Sequence, residues 1–210
     1  VQPELWNAAA EAKKTAAEAA ALKAYAKRQV PRKGEIHAVW DHSGCGLYPG
    51  DWAKTMKLLR ESRVTDLFVN VAGAGFAHYN SKVLPVSAVC TEQGDQLAAC
   101  LKAAAGSGVR VHAWILCFNG TRSTPGRMAA FAQKGWRLKD KKGKLTEYLD
   151  PSNAELRQML LDAVAEMASK YAVAGVHLDF VRWGDGTVKP AVAAYRRLME
   201  EVGAGTLAGE

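Results

Sequence analysis

The chain has few cysteines, and none of them form the short-spaced pairs of structural zinc sites. Its four cysteines, Cys45, Cys90, Cys100 and Cys117, are widely and irregularly spaced, which favours structural thiols over metal ligands. A local ligand motif such as His-Glu-x-x-His is also missing. We therefore expect no metal and no other cofactor. The even count leaves disulfides possible in an oxidising compartment.

Long apolar runs are missing as well. No segment approaches the roughly 20 apolar residues needed to cross a bilayer, so the sequence predicts no membrane-spanning segment. The N-terminus lacks the short basic-then-apolar pattern of a secretory signal. Since the chain opens with Val1 rather than Met, we expect it to be a piece of a longer product.

The charge balance is basic, with 28 Lys and Arg against 21 Asp and Glu and a formal net charge of +7. Such a balance suits an anionic polymer such as nucleic acid, a membrane surface or an acidic cell-wall glycan. The basic residues cluster near the N-terminus and at 139–144, with no stripe of cations interleaved with aromatic residues. This placement indicates a solvated surface and no nucleic-acid partner.

The N-terminal region differs in composition from the remainder of the chain. Residues 3–29 are rich in Ala with interspersed Glu and Lys, which predicts a helix of high propensity with a weak apolar face. The segment 31–34, Pro-Arg-Lys-Gly, ends the pattern. We assign residues 1–33 to an Ala-rich helical linker or appended helix and residues 34–210 to one domain.

Strand and helix patterns alternate after residue 35. The sequence predicts strands over 36–41, 66–72 and 109–117 and another from 175, with helices over 50–63 and 95–105, one capped by Asn153 or Ser152, and one over 190–202. This order is typical of α/β proteins with a parallel sheet. We predict a partial parallel (β/α) barrel of TIM type, with about four β/α units and an extra N-terminal helix.

The last predicted strand contains the most informative polar residues. Residues 175–183 read Gly-Val-His-Leu-Asp-Phe-Val-Arg-Trp. Alternation directs His177 and Asp179 away from the aliphatic face. In a barrel, the C-terminal ends of the strands carry the chemistry, so Asp179 is the leading candidate for a catalytic carboxylate.

Polar residues on neighbouring strands share this parity. Asn70, His112 and His177 all lie opposite the aliphatic face of their predicted strands. One such residue would be explained as a hydrogen-bonded core group. Their convergence with Asp179 favours a site.

Several blocks of the sequence carry a resemblance to a known family. The blocks are EIHAVW at 35–40, FVN at 68–70, YNSKVLP at 79–85, VHAW at 111–114, LDPSN at 149–153 and GVHLDFVR at 175–182. In this order they resemble the bacterial family 10-like glycosyl hydrolases. Several blocks in sequence are more specific than one short motif.

The resemblance implies a TIM barrel and secreted enzymes of the periplasm, cell envelope or extracellular space that hydrolyse glycans, including peptidoglycan strands. The partner is then a polysaccharide. A complete barrel has eight β/α units, and only four are visible here. We therefore expect the N-terminal half of the domain, inactive by itself.

Glycoside hydrolysis ordinarily uses two carboxyl groups. By resemblance to barrel glycosidases, Asp179 is the nucleophile or stabilising carboxylate, with His177 or Arg182 holding it ionised. The general acid is expected outside this chain. Candidate substrate-binding residues are Asp41, His42, Asn70, Tyr79, His112, Trp114 and Trp183.

Two alternatives remain open. One is a non-catalytic carbohydrate-binding or scaffold module that uses the same polar and aromatic residues. The other is a metal-dependent hydrolase with His42, His112, His177 and Asp179 as ligands.

Overall fold

The computed structural model describes residues 2–28, 32–184, 186 and 187. The chain divides into two compact units, Val1–Glu35 and Ile36–Glu210. In the first unit, helix α1 (Gln2–Arg28) forms where the Ala-rich composition predicts it. Its Leu22 and Tyr25 are exposed, as expected for a weak apolar face. The helix predicted over 190–202 lies outside the described residues.

Strands and helices alternate in the second unit. The strands are β1 (Ala38–Asp41), β2 (Asp66–Gly73), β3 (Phe76–Ala77), β4 (Arg110–Leu116), β5 (Arg137–Lys139), β6 (Leu145–Leu149) and β7 (Gly175–Asp179). The helices are α2 (Trp52–Glu61), α3 (Ala88–Gln93), α4 (Gln96–Ala104), α5 (Pro125–Gln133) and α6 (Ala154–Lys170).

The main sheet has the parallel order β1-β2-β4-β7. Neighbouring strands pair in parallel along the whole path, with crossover helices between them, while β3 pairs antiparallel with β2. Strands β5 and β6 form a separate hairpin around the turn at 140–143. The fold is the predicted partial parallel β/α barrel, and its four parallel strands place their C-terminal ends along one edge of the sheet.

Side-chain caps fix where the helices begin. Asp51, Ser87, Asp95, Thr124 and Asn153 each accept a hydrogen bond from a backbone N–H of the first turn. Asn153, rather than Ser152, is the cap of α6. Helices α3 and α5 were not predicted, although Ser87 and the Thr124-Pro125 pair are ordinary start signals.

The two faces of the sheet differ as the alternation predicts. Aliphatic residues of β2 and β4, such as Val69 and Ile115, are fully buried in the core cluster beneath the helices. The opposite face carries a ladder of stacked rings, with centroids 4.8 Å apart for Trp40 and Phe68 and 4.5 Å apart for Phe68 and His112. Trp40 is 45% exposed, so this inner face is open to solvent at β1.

A buried carboxylate on α6 anchors the loop that follows β3. Glu166 accepts hydrogen bonds from Tyr79 Oη (3.2 Å), Ser81 Oγ (2.5 Å) and Lys82 N (2.8 Å), and it forms an ion pair with Lys170 (2.5 Å). Burial by itself would raise the pKa of Glu166, but these bonds outweigh it and lower the pKa to about 2. Glu166 therefore holds the loop as a charged anchor.

Candidate functional site

Asp179 is the last residue of β7, so its carboxylate lies at the C-terminal edge of the sheet. Its Oδ2 accepts a hydrogen bond from Trp114 Nε1 (3.1 Å), and its Oδ1 accepts one from the backbone N–H of Phe180 (2.7 Å). Phe180 has a positive φ of 53°, which is unusual for a bulky residue. Both donors to the carboxylate are neutral.

Trp114 connects the carboxylate to three of the predicted site residues. The ring of His42 meets the Trp114 indole edge-to-face at 4.6 Å between centroids, and that of His177 does so at 5.9 Å. Asn70 Nδ2 donates to the Trp114 carbonyl (3.5 Å). The structure thus brings together Asp179, Trp114, His42, Asn70 and His177 on the inner face.

Arg122, in the connection between β4 and α5, completes this group although it was not predicted. Its guanidinium donates to Asn70 Oδ1 and to the carbonyls of His42 (2.6 Å) and Ser43 (3.4 Å). Its Cζ lies 5.0 Å from the centroid of the Phe76 ring. Burial lowers the pKa of Arg122. The sequence feature that could have identified Arg122 as a site residue was its position in a loop that follows a barrel strand.

Asp41 is committed to the loop that follows β1. Its Oδ1 accepts from the backbone N–H (2.9 Å) and Oγ (2.6 Å) of Ser43, and its Oδ2 accepts from Gly46 N (2.8 Å). Gly44 in this loop has a φ of 70°, and a Cβ there would lie 2.3 Å from the Asn70 carbonyl oxygen. Asp41, a predicted substrate-binding residue, thus caps its own loop with both carboxylate oxygens.

His112 lies toward the opposite end of the sheet. Its Nε2 is 2.7 Å from Asp66 Oδ1, and Arg110 Nη2 donates to Asp66 Oδ2 (2.7 Å). Since Asp66 opens β2 and Arg110 opens β4, this ion cluster is at the N-terminal edge. The structure does not bring His112 to the predicted mouth of the barrel.

The remaining candidates are placed differently from expectation. Tyr79 is fully buried and donates to Glu166, so neither ring face is open to a sugar. His177 packs its ring against Phe68 and Trp114, and Arg182 lies over the ring of Phe180 at 5.2 Å. Among the described residues, neither His177 nor Arg182 supplies the hydrogen bonds to Asp179. Trp183 is half-buried.

His78 is a second residue that was not predicted. It is buried, and its Nδ1 is 2.7 Å from Ser87 Oγ, whereas its Nε2 has no partner among the described residues. Burial, helped by the positive charge of Arg122 and opposed by Asp41, lowers the pKa of His78 to about 4. The ring is neutral near pH 7 and touches the Gly44 position.

The ligand set of the alternative metal-dependent hydrolase is not assembled among the described residues. Within the described part of the chain, no three His, Cys, Asp or Glu side chains are grouped closely enough to hold a metal ion. His112 is held at the N-terminal edge by Asp66, away from the C-terminal edge where Asp179 lies.

The described part of the chain also contains no helix long and apolar enough to cross a membrane.

A parallel β/α sheet with a carboxylate at a C-terminal strand end is typical of the TIM-barrel class. Within that class, the model of the family described as glycosyl hydrolase-like 10 matches residues 37–202. The chain belongs to this family, as its sequence blocks indicate. The family supports a glycosidase-type function. No curated protein matches the sequence.

Solved glycosidases share the fold at low identity. An exo-β-N-acetylglucosaminidase of family GH20 from Vibrio harveyi is 11% identical, with a TM-score of 0.52 over 80% of this chain and 30% of that chain. A β-galactosidase from Marinomonas ef1 is 16% identical, with a TM-score of 0.51 over 80% and 25%. The maltogenic α-amylase AmyB from Thermotoga neapolitana is 11% identical, with a TM-score of 0.50 over 80% and 43%. The chain spans less than half of each of these proteins.

Proposed function

We propose that this chain supplies part of the active site of a glycoside hydrolase that acts on a bacterial cell-wall or related polysaccharide, with Asp179 as nucleophile or stabilising carboxylate. The observation that carries the proposal is the position of Asp179. Its carboxylate lies at a C-terminal strand end and is fixed by two neutral donors, one of which, Trp114, also contacts His42 and Asn70. Barrel enzymes assemble their chemistry at this edge.

Two neutral hydrogen bonds suit a carboxylate that must react. They orient both oxygens without an ion pair that would compete with an electron-poor sugar carbon. The indole of Trp114 is buried, so it holds the Oδ2 atom with little freedom. Preorganised donors of this kind cost no rearrangement during the reaction.

The proposed reaction needs a second carboxyl group as general acid. Among the described residues, no hydrogen bond connects Asp179 to another carboxyl group, and Asp41 is occupied by its own loop. We assign the general acid to a residue outside the described part of the chain. The proposal for localisation, the periplasm, cell envelope or extracellular space, follows the family and the polymeric substrate.

The test compares Asp179→Asn with the wild type in the full-length protein that contains this chain. Reducing-end release from purified, peptide-free glycan strands is the readout. We expect Asp179→Asn to lower the rate about a thousandfold, or about 4 kcal/mol of transition-state stabilisation. Asp162→Asn, an exposed carboxylate on α6, is the matched control and should retain activity. Unchanged release in Asp179→Asn would remove this residue from the mechanism.

A carbohydrate-binding module is the second candidate, because the oxygens of Asp41, the carboxylate at the end of β1, are occupied by its own loop. In that case the full-length wild type binds the glycan strands and releases no reducing ends. Asp179→Asn would then change the dissociation constant only, which separates this function from hydrolysis.

A further inference from the structure

We propose that the guanidinium of Arg122 is a subsite for a carboxylate group on the substrate, so that the enzyme acts on an anionic glycan. This inference rests on the proposed function, because it concerns the same site. It names a property of the sugar that neither the fold nor the family supplies.

The first observation is a cation without a paired anion. Arg122 donates to one amide oxygen and two backbone carbonyls, all of them neutral. Within the described part of the chain it forms no ion pair, in contrast to Arg110, Lys134 and Lys170. The residue as a whole is exposed, so this positive charge is accessible to a ligand of opposite sign.

The acidic residue whose charge acts on Arg122 does not neutralise it. Asp41 exerts a Coulombic effect on the guanidinium, but its two carboxylate oxygens accept hydrogen bonds from Ser43 and Gly46. Because this carboxylate is fixed in its loop, Asp41 is not free to move onto Arg122.

The second observation is that the guanidinium is held in place and has N–H donors that no described residue accepts from. An arginine side chain has five N–H donors in a planar fork, and Arg122 uses three of them. Asn70, which is buried, and the ring of Phe76 fix the plane of the fork. Two donors therefore remain in a preorganised geometry, which suits a carboxylate.

The third observation is an unused buried nitrogen in the same corner of the molecule. His78 packs against Phe76 at 4.9 Å between centroids and touches the Gly44 position beside Asn70. Its Nε2 has no partner. Ser87 Oγ accepts from Cys90 N, so the Ser87 hydroxyl proton is available for His78 Nδ1 and leaves Nε2 as a donor. This buried neutral donor lies close enough to Arg122 to feel its charge, and it adds no carboxylate that would neutralise the guanidinium.

The position of Arg122 fits a group adjacent to the bond that is cleaved. Asn70 contacts both Arg122 and the Trp114 carbonyl, and Trp114 contacts Asp179. Two residues, Asn70 and Trp114, therefore connect the guanidinium to Asp179, and the proposed anion does not compete with the hydrogen bonds of that carboxylate. A uronic acid or another sugar with a carboxyl substituent has the required chemistry.

The test measures binding to two probes that differ only in charge. The probes are a galacturonic acid hexamer and the same hexamer after reduction of its carboxyl groups to primary alcohols, titrated calorimetrically into the 210-residue chain. We expect the wild type to bind the acidic hexamer about tenfold more tightly, as one charged hydrogen-bonded contact allows. Arg122→Gln should abolish this preference and leave the affinity for the reduced hexamer unchanged.

Arg127→Gln is the matched control. Arg127 lies at the start of α5, is exposed, and forms no ion pair within the described residues, so the variant loses the same charge close by in sequence. It should keep the preference for the acidic hexamer. If Arg122→Gln and Arg127→Gln lost the preference for the acidic hexamer equally, the effect would come from overall charge and the proposal would be wrong. Equal affinity of the wild type for both probes would also overturn it.

Arg122→Lys keeps the test decisive if the glutamine variant unfolds. Lysine retains the charge but loses the planar fork, so we expect severalfold weaker binding of the acidic hexamer and unchanged binding of the reduced one. If Arg122→Lys bound both probes with wild-type affinity, the planar guanidinium would not be what recognises the carboxylate, and the proposal would be wrong. Asp179→Asn should keep the preference even if hydrolysis fails, which separates this proposal from the proposed function.

Discussion

The N-terminal and C-terminal edges of the inner face differ in whether their charged side chains are paired. At the N-terminal edge, Asp66 is surrounded by Arg110, His112 and Thr65, each at 2.7 Å. At the C-terminal edge, the carboxylate of Asp179 has only neutral donors, and the guanidinium of Arg122 has only neutral acceptors, among the described residues. One edge has neutralised its charges, and the other holds an anion and a cation apart.

This difference separates stability from function. A buried ion pair with all its hydrogen bonds satisfied resists opening, because removing one partner leaves a charge without compensation. Charges held apart contribute little to the folded chain and keep their full attraction for a ligand. The N-terminal edge of a barrel accordingly serves stability and the C-terminal edge serves chemistry.

The strongest test of this comparison is Asp66→Asn, which removes the charge at the N-terminal edge. The Asp66 side chain is 4% exposed, and the substitution leaves Arg110 and His112 without their anion. Because the Arg110 side chain is 56% exposed and stays solvated, we expect a loss of about 2 kcal/mol in the free energy of unfolding, measured by urea titration. Activity per folded molecule should not change.

An exposed ion pair provides the control for Asp66→Asn. Lys134 and Glu155 are 2.5 Å apart, but their side chains are 49% and 65% exposed. Glu155→Gln should cost less than about 0.5 kcal/mol. If the two variants lost equal stability, the N-terminal cluster would not be the stabilising element that its burial indicates.

Acidification should weaken the fold in two stages. Between pH 6.5 and about 4 the unfolded chain protonates His78, whereas the folded chain keeps it neutral. The unfolded state then binds more protons, so stability falls as the pH falls. Below about pH 4.5 Asp66 and Glu166 add to the loss, because their pKa values are about 2 in the folded chain. At Asp66, burial opposes this shift, and the hydrogen bonds from Arg110, Thr65 and His112 outweigh burial.

His78→Gln isolates the first stage. The variant has no titrating group at this position, so it should remove about 2 kcal/mol of the stability change between pH 6.5 and 4. Urea unfolding at several pH values is the measurement. The loss below pH 4 should persist, since the two carboxylates are unchanged. An unaltered profile between pH 6.5 and 4 would show that His78 is charged in the folded chain.

Much of the fold could be predicted from local signals. Alternation located β2, β4 and β7 within about two residues, and the cap at Asn153 was readable because its side chain acts on the next turn of the same helix. Helices α3 and α5 are six and nine residues long, and their short apolar patterns are weak. Helix α4 is also nine residues long but was predicted, because it buries four side chains, whereas α5 buries one.

The site was less predictable because its contacts join distant segments. Strand parity placed Asn70, Trp114, His177 and Asp179 on one face. Alternation gives the face on which a side chain lies but not its position along the strand. His112 was therefore grouped with the residues at the barrel mouth, although Asp66 holds it at the other edge. Arg122 and Glu166 contact partners 52 and 85 residues away, and no local pattern marks such pairs.

The smallest expected effect concerns the hydrogen bond that fixes Asp179. Trp114→Phe removes the Nε1 donor, and we expect kcat for glycan hydrolysis by the full-length product to fall about fivefold, or about 1 kcal/mol. KM should not change, because Trp114 positions the carboxylate and does not bind the sugar in this proposal.

Trp136→Phe is the matched control, since this indole is also buried but its Nε1 has no acceptor among the described residues. Both substitutions remove the same atoms from a packed interior and should lower the melting temperature similarly. The difference between them in kcat therefore reports the bond to Asp179 alone. Equal kcat values would mean that the C-terminal edge positions its carboxylate without Trp114, through the Phe180 N–H.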